Sequence, residues 1–108
     1  MEIIYNWEIL AMEVVLQQDG LTNVVSNLDW KLKATVDGEK YNAYHIAKQY
    51  VSAPNADAFT NYEELTKDQV VGWLESLLDV PQLKENLEEQ INLQVNPTHA
   101  TLNPPFNN

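Results

Sequence analysis

Few side chains in this sequence could do chemistry. There are two histidines, His45 and His99, with no second histidine at metal-ligand spacing from either. A serine triad would need one of them to meet Ser26, Ser52 or Ser76, and none of these stands in a nucleophile elbow such as G-x-S-x-G. Cysteine is absent, which removes thiolate catalysis, disulfides and cysteine metal sites together. Carboxylates are abundant, and a pair of them in a cleft is the machinery of glycoside hydrolysis. Glu85, Glu88 and Glu89, however, lie off the apolar line of a helix and read as its solvated face, while Glu63 and Glu64 precede a helix start, where negative charge is favourable. Gly20, Gly38 and Gly72 are too scattered to cradle a phosphate. Asp19-Gly20 and Asp37-Gly38 lack the repeated Asp/Asn ligands and terminal glutamate of a calcium loop, so they read as turns. The expectation is a protein that is not an enzyme, with no catalytic residue, no cofactor and no metal.

The elements around these residues are easier to read. From Val24 to Val36 apolar and polar residues alternate: Val24, Ser26, Leu28, Trp30, Leu32, Ala34 and Val36 on one side, Val25, Asn27, Asp29, Lys31, Lys33 and Thr35 on the other. This predicts a half-buried antiparallel strand. Ile3 to Gln18 is also strand-like, but Trp7 and Ile9 hold odd positions whereas Met12, Val14 and Leu16 hold even ones. One face collects both sets only across a bulge, expected near Leu10 and Ala11. Asp19 to Asn23 is expected to close the hairpin as a longer loop, and Asp37-Gly38 to lead into a third strand, Lys40 to Val51. Trp7, Trp30 and Trp73 then share a core rather than form a ligand box.

Ser52 to Asn61 is rich in turn formers around one anchor, Phe59. A helix is predicted over 67–78, with Thr66 as cap, Gln69 as capping-box partner, a Leu65–Val70 staple, and a stripe of Val70, Trp73, Leu74, Leu77 and Leu78. Gly72 inside it admits either close backbone packing or simple tolerance. Pro81 suits the first turn of a second helix with apolar line Leu83, Leu87, Ile91 and Val95, ended by Asn96-Pro97. The predicted architecture is α+β: a three-stranded antiparallel meander packed by two C-terminal helices, residues 1–96, with an extended C-terminal arm, residues 97–108. Prolines 97, 104 and 105 keep the arm extended, and Leu102 and Phe106 are its only apolar grips. Leu102, Pro104, Pro105 and Phe106 are therefore the candidate partner-docking residues.

Composition narrows the partners. The chain has 108 residues, 16 acidic against 6 basic, for a net charge of −10. All the basic residues are lysine. A nucleic-acid interface needs a basic face and usually arginine, and an anionic membrane surface would repel this charge, so neither partner is expected. No stretch approaches the roughly 18 apolar residues of a membrane span, and the sequence MEIIYNWEIL lacks the basic start of a secretion signal. The expectation is a protein made and kept in a cytoplasm.

The run YNWEILAMEV, then DGLTNVVSNLDWKLKAT, then FTNYEELTKDQVVGWLE and the closing NP with its PPF end resemble a family of small proteins of tailed bacteriophages, nearest those of cyanophages. The resemblance spans nearly the whole chain and brings no catalytic residues with it. It implies a structural component of the virion, made in the host cytoplasm, whose partners are other virion proteins or further copies of itself. The alternative it allows is an early phage protein that binds and modulates a host enzyme. Against nucleic-acid mimicry by such a protein, the acidic residues are scattered over strands, loops and helices.

Overall fold

The computed structural model describes residues 2–36, 38, 40–51 and 59–106. Three strands, β1 (Ile4–Gln18), β2 (Leu21–Val36) and β3 (Tyr41–Tyr50), form an antiparallel meander with β2 in the centre. A short 3-10 turn at Tyr62–Glu64 precedes two helices, α1 (Lys67–Leu77) and α2 (Val80–Val95). Both helices contribute to one buried cluster on one face of the sheet. Leu28, Trp30, Leu32 and Ala34 from β2 meet Val70 and Leu74 from α1 and Leu87 and Ile91 from α2 there. The fold is the predicted two-layer α+β arrangement.

The predicted bulge in β1 is present. Ile9 pairs with Trp30 and Ala11 with Asp29, which leaves Leu10 unmatched. A second irregularity, absent from the sequence reading, lies on β2: Glu13 pairs with Asn27 but Val14 with Val25, which leaves Ser26 unmatched. The two extra residues cancel, one on each strand, so the register at the turn is the same as at the open end of the hairpin. Ile9 and Met12 can thus both pack against the core. The second bulge also corrects the expected facing of β2: Val25, not Ser26, joins the core cluster, and Val24 is buried outside that cluster. Ser26 instead donates its hydroxyl to the Glu13 carbonyl at 3.2 Å, and its backbone carbonyl accepts from the Val51 amide at 2.9 Å.

The first hairpin is also tighter than expected. Gln18 pairs with Leu21, so Asp19-Gly20 alone makes the turn, with φ of +50° and +79°. Positive φ at both central residues is the type I′ geometry, whose twist matches that of the flanking strands. What had suggested a five-residue loop is the start of β2, with Asn23 in the left-handed region at φ +53° between pairs of the same register. Of the second Asp-Gly turn, Gly38 has φ +64° and Asp37 lies outside the described residues. Most of the proposed turn-rich loop, 52–58, is also outside them, while Phe59 is half-buried.

Thr66 caps α1 as predicted, its hydroxyl accepting from the Gln69 amide at 3.2 Å. The reciprocal half of the capping box is not made: the Gln69 side chain donates to the Thr60 hydroxyl at 3.0 Å instead. The helix stops at Leu77, with Leu78 as its C-cap, and Leu77 is exposed rather than part of the buried stripe. Around Gly72 nothing lies within 4 Å of where a Cβ would sit, so it is tolerated, with no close backbone packing among the described residues. Asp79, overlooked in the sequence, caps α2 by accepting from the Gln82 amide at 3.2 Å, and Pro81 sits in the first turn. The Gln94 side chain then pairs with both backbone groups of Asn42, donating at 2.6 Å and accepting at 3.4 Å, and so fastens the end of α2 to β3. On the β1 side the Lys84 ammonium lies over the Tyr5 ring at 4.8 Å. Burial, with a smaller contribution from Glu88, raises the Tyr5 phenol above its ordinary value.

Candidate functional site

The arm leaves α2 after Val95, where the Asn96 amide still bonds back to the Asn92 carbonyl at 2.8 Å. Residues 97–106 then carry neither helix nor strand. Two prolines side by side and a third at the exit from α2 remove backbone donors, so neither a helix nor an inner strand is available to this segment. Leu102 is 81% and Phe106 80% exposed, and Pro104 and Pro105 are exposed as well. All four predicted docking residues thus stand on one uncovered segment, with no grip of their own body on either apolar side chain.

Clefts open along the seam between sheet and helices among the described residues. One, of about 320 Å³, lies between β1 and the start of α1 and is lined by Ile9, Met12, Leu65 and Val70 among others. Another, of about 270 Å³, lies where the corner between α1 and α2 overhangs β3, with Trp30, His45, Ala47, Leu78, Gln82 and Leu83 in its wall. Period-2 alternation along β3 puts His45 on the helix side with Ala43 and Ala47, which pack on the core. Its ring is tilted 40° against Trp30 at 5.4 Å between centroids. Trp7 approaches Trp30 at 5.5 Å, and Trp73 packs against the same cluster, so the three tryptophans do share the core. Trp30 itself is 2% exposed, and its Nε1 has no hydrogen-bond partner among the described residues.

The opposite face of the sheet is uncovered by the helices. Tyr44, Ile46 and Tyr50 are exposed there, the Lys31 ammonium sits over the Tyr44 ring at 4.7 Å, and Lys48 reaches Asp29 at 3.8 Å and Glu13 at 3.9 Å. Such exposed pairs are worth at most about 1 kcal/mol each. His99 on the arm meets only the Thr98 hydroxyl, at 2.8 Å, among the described contacts. No three His, Cys, Asp or Glu side chains gather as metal ligands among the described residues. Nor is any helix of the described residues long and apolar enough to cross a membrane.

Residues 2–104 match a family described as a domain of unknown function, DUF7936. The chain belongs to the DUF7936 family. The match takes in the sheet, both helices, and the arm as far as Pro104. No curated protein and no solved structure matches the chain.

Sequence reasoning found the arm but missed the cleft beside Trp30. The arm announces itself by composition. The cleft joins side chains from β2, β3 and the α1–α2 corner, and only the tertiary arrangement brings those three segments together.

Proposed function

We propose that this DUF7936 chain is a non-enzymatic structural component of a tailed-phage virion, made in the host cytoplasm and held in the particle by protein–protein contacts. The observation that carries this reading is the arm, which presents Leu102 and Phe106 to solvent on a proline-stiffened segment. Prolines restrict the unbound chain, so less conformational entropy is lost when such a segment docks. Full burial of Phe106 in a partner would contribute roughly 1.5 to 3 kcal/mol. The family-like pattern of the sequence supports a phage setting. The net charge of −10 without arginine supports a protein partner over nucleic acid.

The test is mass spectrometry of purified particles, with and without residues 98–108 of this chain. The full chain should be found in the particle at a fixed copy number. The truncated chain should be absent from it, while its melting temperature stays within about 2 °C of the full chain's, less than a 1 kcal/mol loss would cause. A truncated chain that melts several degrees lower yet still enters particles would assign the arm to its own fold. A full chain missing from particles but recovered with a host enzyme would favour the early-protein alternative.

A further inference from the structure

The two edges of the sheet are not alike. On β3 the Gln94 side chain donates to the Asn42 carbonyl and accepts from the Asn42 amide, so the backbone groups of Asn42 turn away from β2 and are met by α2. Antiparallel strands alternate between residues that bond to a given neighbour and residues that turn away from it. Asn42 stands opposite Thr35, and Thr35 opposite Ile4. Thr35 and Ile4 therefore bond to each other, and the residues of β1 that turn their amides and carbonyls outward before the bulge are Tyr5, Trp7 and Ile9. Among the described contacts none of these backbone groups has a protein partner.

The cleft between β1 and α1 opens on the same edge. Glu8 and Ile9 are consecutive and so point to opposite faces of the sheet, yet both line it, and no residue of β2 does. The cleft thus wraps the outer side of β1, with Leu65, Thr66, Lys67 and Val70 as its other wall. At about 320 Å³ it has room for a large apolar side chain; benzene occupies an engineered cavity of about 150 Å³. A small apolar molecule would fill the cleft and leave the backbone row unmet, whereas an extended peptide answers both.

Charge selects among extended peptides. The half of β1 before the bulge carries Glu8 and no base. Lys31 is in register with Glu8, but its ammonium lies over the Tyr44 ring on β3 instead. On the other wall Glu63, Glu64 and Asp68 surround the single base, Lys67. Pairing with β1 of a second copy would bring Glu8 up to carboxylates of its own kind, which cross-strand neighbours disfavour. A segment bearing lysine or arginine is favoured in the same place.

We propose that Ile4 to Ile9 takes an extended segment of another protein as a fourth strand, with apolar residues on the helix side and lysine or arginine on the other. Backbone bonds to Tyr5, Trp7 and Ile9 supply the affinity, and the cleft beside Ile9 selects the apolar side chain. The stretch is about 20 Å long, room for roughly six partner residues. This surface is separate from the arm, so the virion reading and the strand site can fail independently.

The test titrates the isolated full chain with a capped seven-residue peptide of alternating lysine and valine, and needs no particles. One-to-one binding is expected, at least about tenfold weaker when glutamate replaces lysine or when the same residues are arranged in two blocks. N-methylation of one alternating set of amides should abolish binding and of the other set leave it, the valine set if the strand adds antiparallel. In hydrogen exchange the Tyr5, Trp7 and Ile9 amides should be fast in the free protein and slow in the complex, with Asn6 and Glu8 slow in both. Glu8→Lys, at an exposed position, should weaken binding about tenfold. Lys67→Trp, also exposed, removes a base but fills the cleft mouth, so it should weaken binding where attraction by charge alone would strengthen it. Equal binding of the block peptide, tolerance of both N-methylated sets, or unchanged exchange at Tyr5, Trp7 and Ile9 would each overturn the strand site.

Discussion

Gly20 holds a φ of +79° in the first hairpin turn, a conformation that costs an L side chain roughly 1 kcal/mol or more. Nothing lies within 4 Å of where its Cβ would be, so the penalty of Gly20→Ala is conformational and not steric. Gly72 has the same open surroundings but sits inside α1, where alanine is the better helix former by about 1 kcal/mol. The same change should therefore have opposite signs. Urea unfolding is expected to show Gly20→Ala less stable and Gly72→Ala more stable than the parent, each by about 1 kcal/mol. A Gly72→Ala chain that loses stability would mean that a neighbour, absent from this arrangement, approaches the helix there.

Among the elements, what could be read from sequence depended on whether the signal was local. The change from odd to even apolar positions in β1 announces the Leu10 bulge, because both sets must reach one core. Thr66 and Asn96-Pro97 bound their helices through neighbours in the chain. The Ser26 bulge was not legible, since Val24 and Val25 are both apolar and either can face the core. What decides between them is the tight Asp19-Gly20 turn together with Leu10, a constraint that exists only once the strands are paired. The candidate site divides the same way: the arm is local, and the cleft beside Trp30 is not. The paired bulges make a prediction. Deleting Leu10 or Ser26 alone throws every pair between that bulge and one hairpin end out of step, and should cost at least about 2 kcal/mol. Deleting both leaves one-for-one pairing with Ile9, Met12, Leu28 and Val25 still on the core side, so the double deletion should recover most of either loss. Thermal unfolding of the three variants reads this coupling directly, and additive losses would refute it.

Over the whole molecule, the radius of gyration is 19.4 Å within extents of 69 × 32 × 21 Å. A compact chain of this length would have about 13 Å. Among the described residues two segments reach beyond the sheet–helix body. One is the arm; the other is the part of the β1–β2 hairpin beyond Asn27, where β3 pairing ends and Leu16 is 71% exposed. An elongated body of charge −10 repels its own copies, and screening relieves that repulsion. The repulsion between copies should therefore shrink between low salt and about 0.3 M, where the screening length has fallen below about 8 Å. The concentration dependence of sedimentation at the two salt levels checks this, and a dependence that salt leaves unchanged would refute it. The Leu10 bulge has a further consequence, for the edge of the sheet. Among the described residues β1 is an edge strand of 15 residues, and no strand pairs with its outer row of amides and carbonyls, the kind of row that can template another strand. The unmatched residue breaks that row near its middle and bends it. The double deletion that restores stability would also straighten this edge, leaving a well-folded protein newly prone to fibre formation.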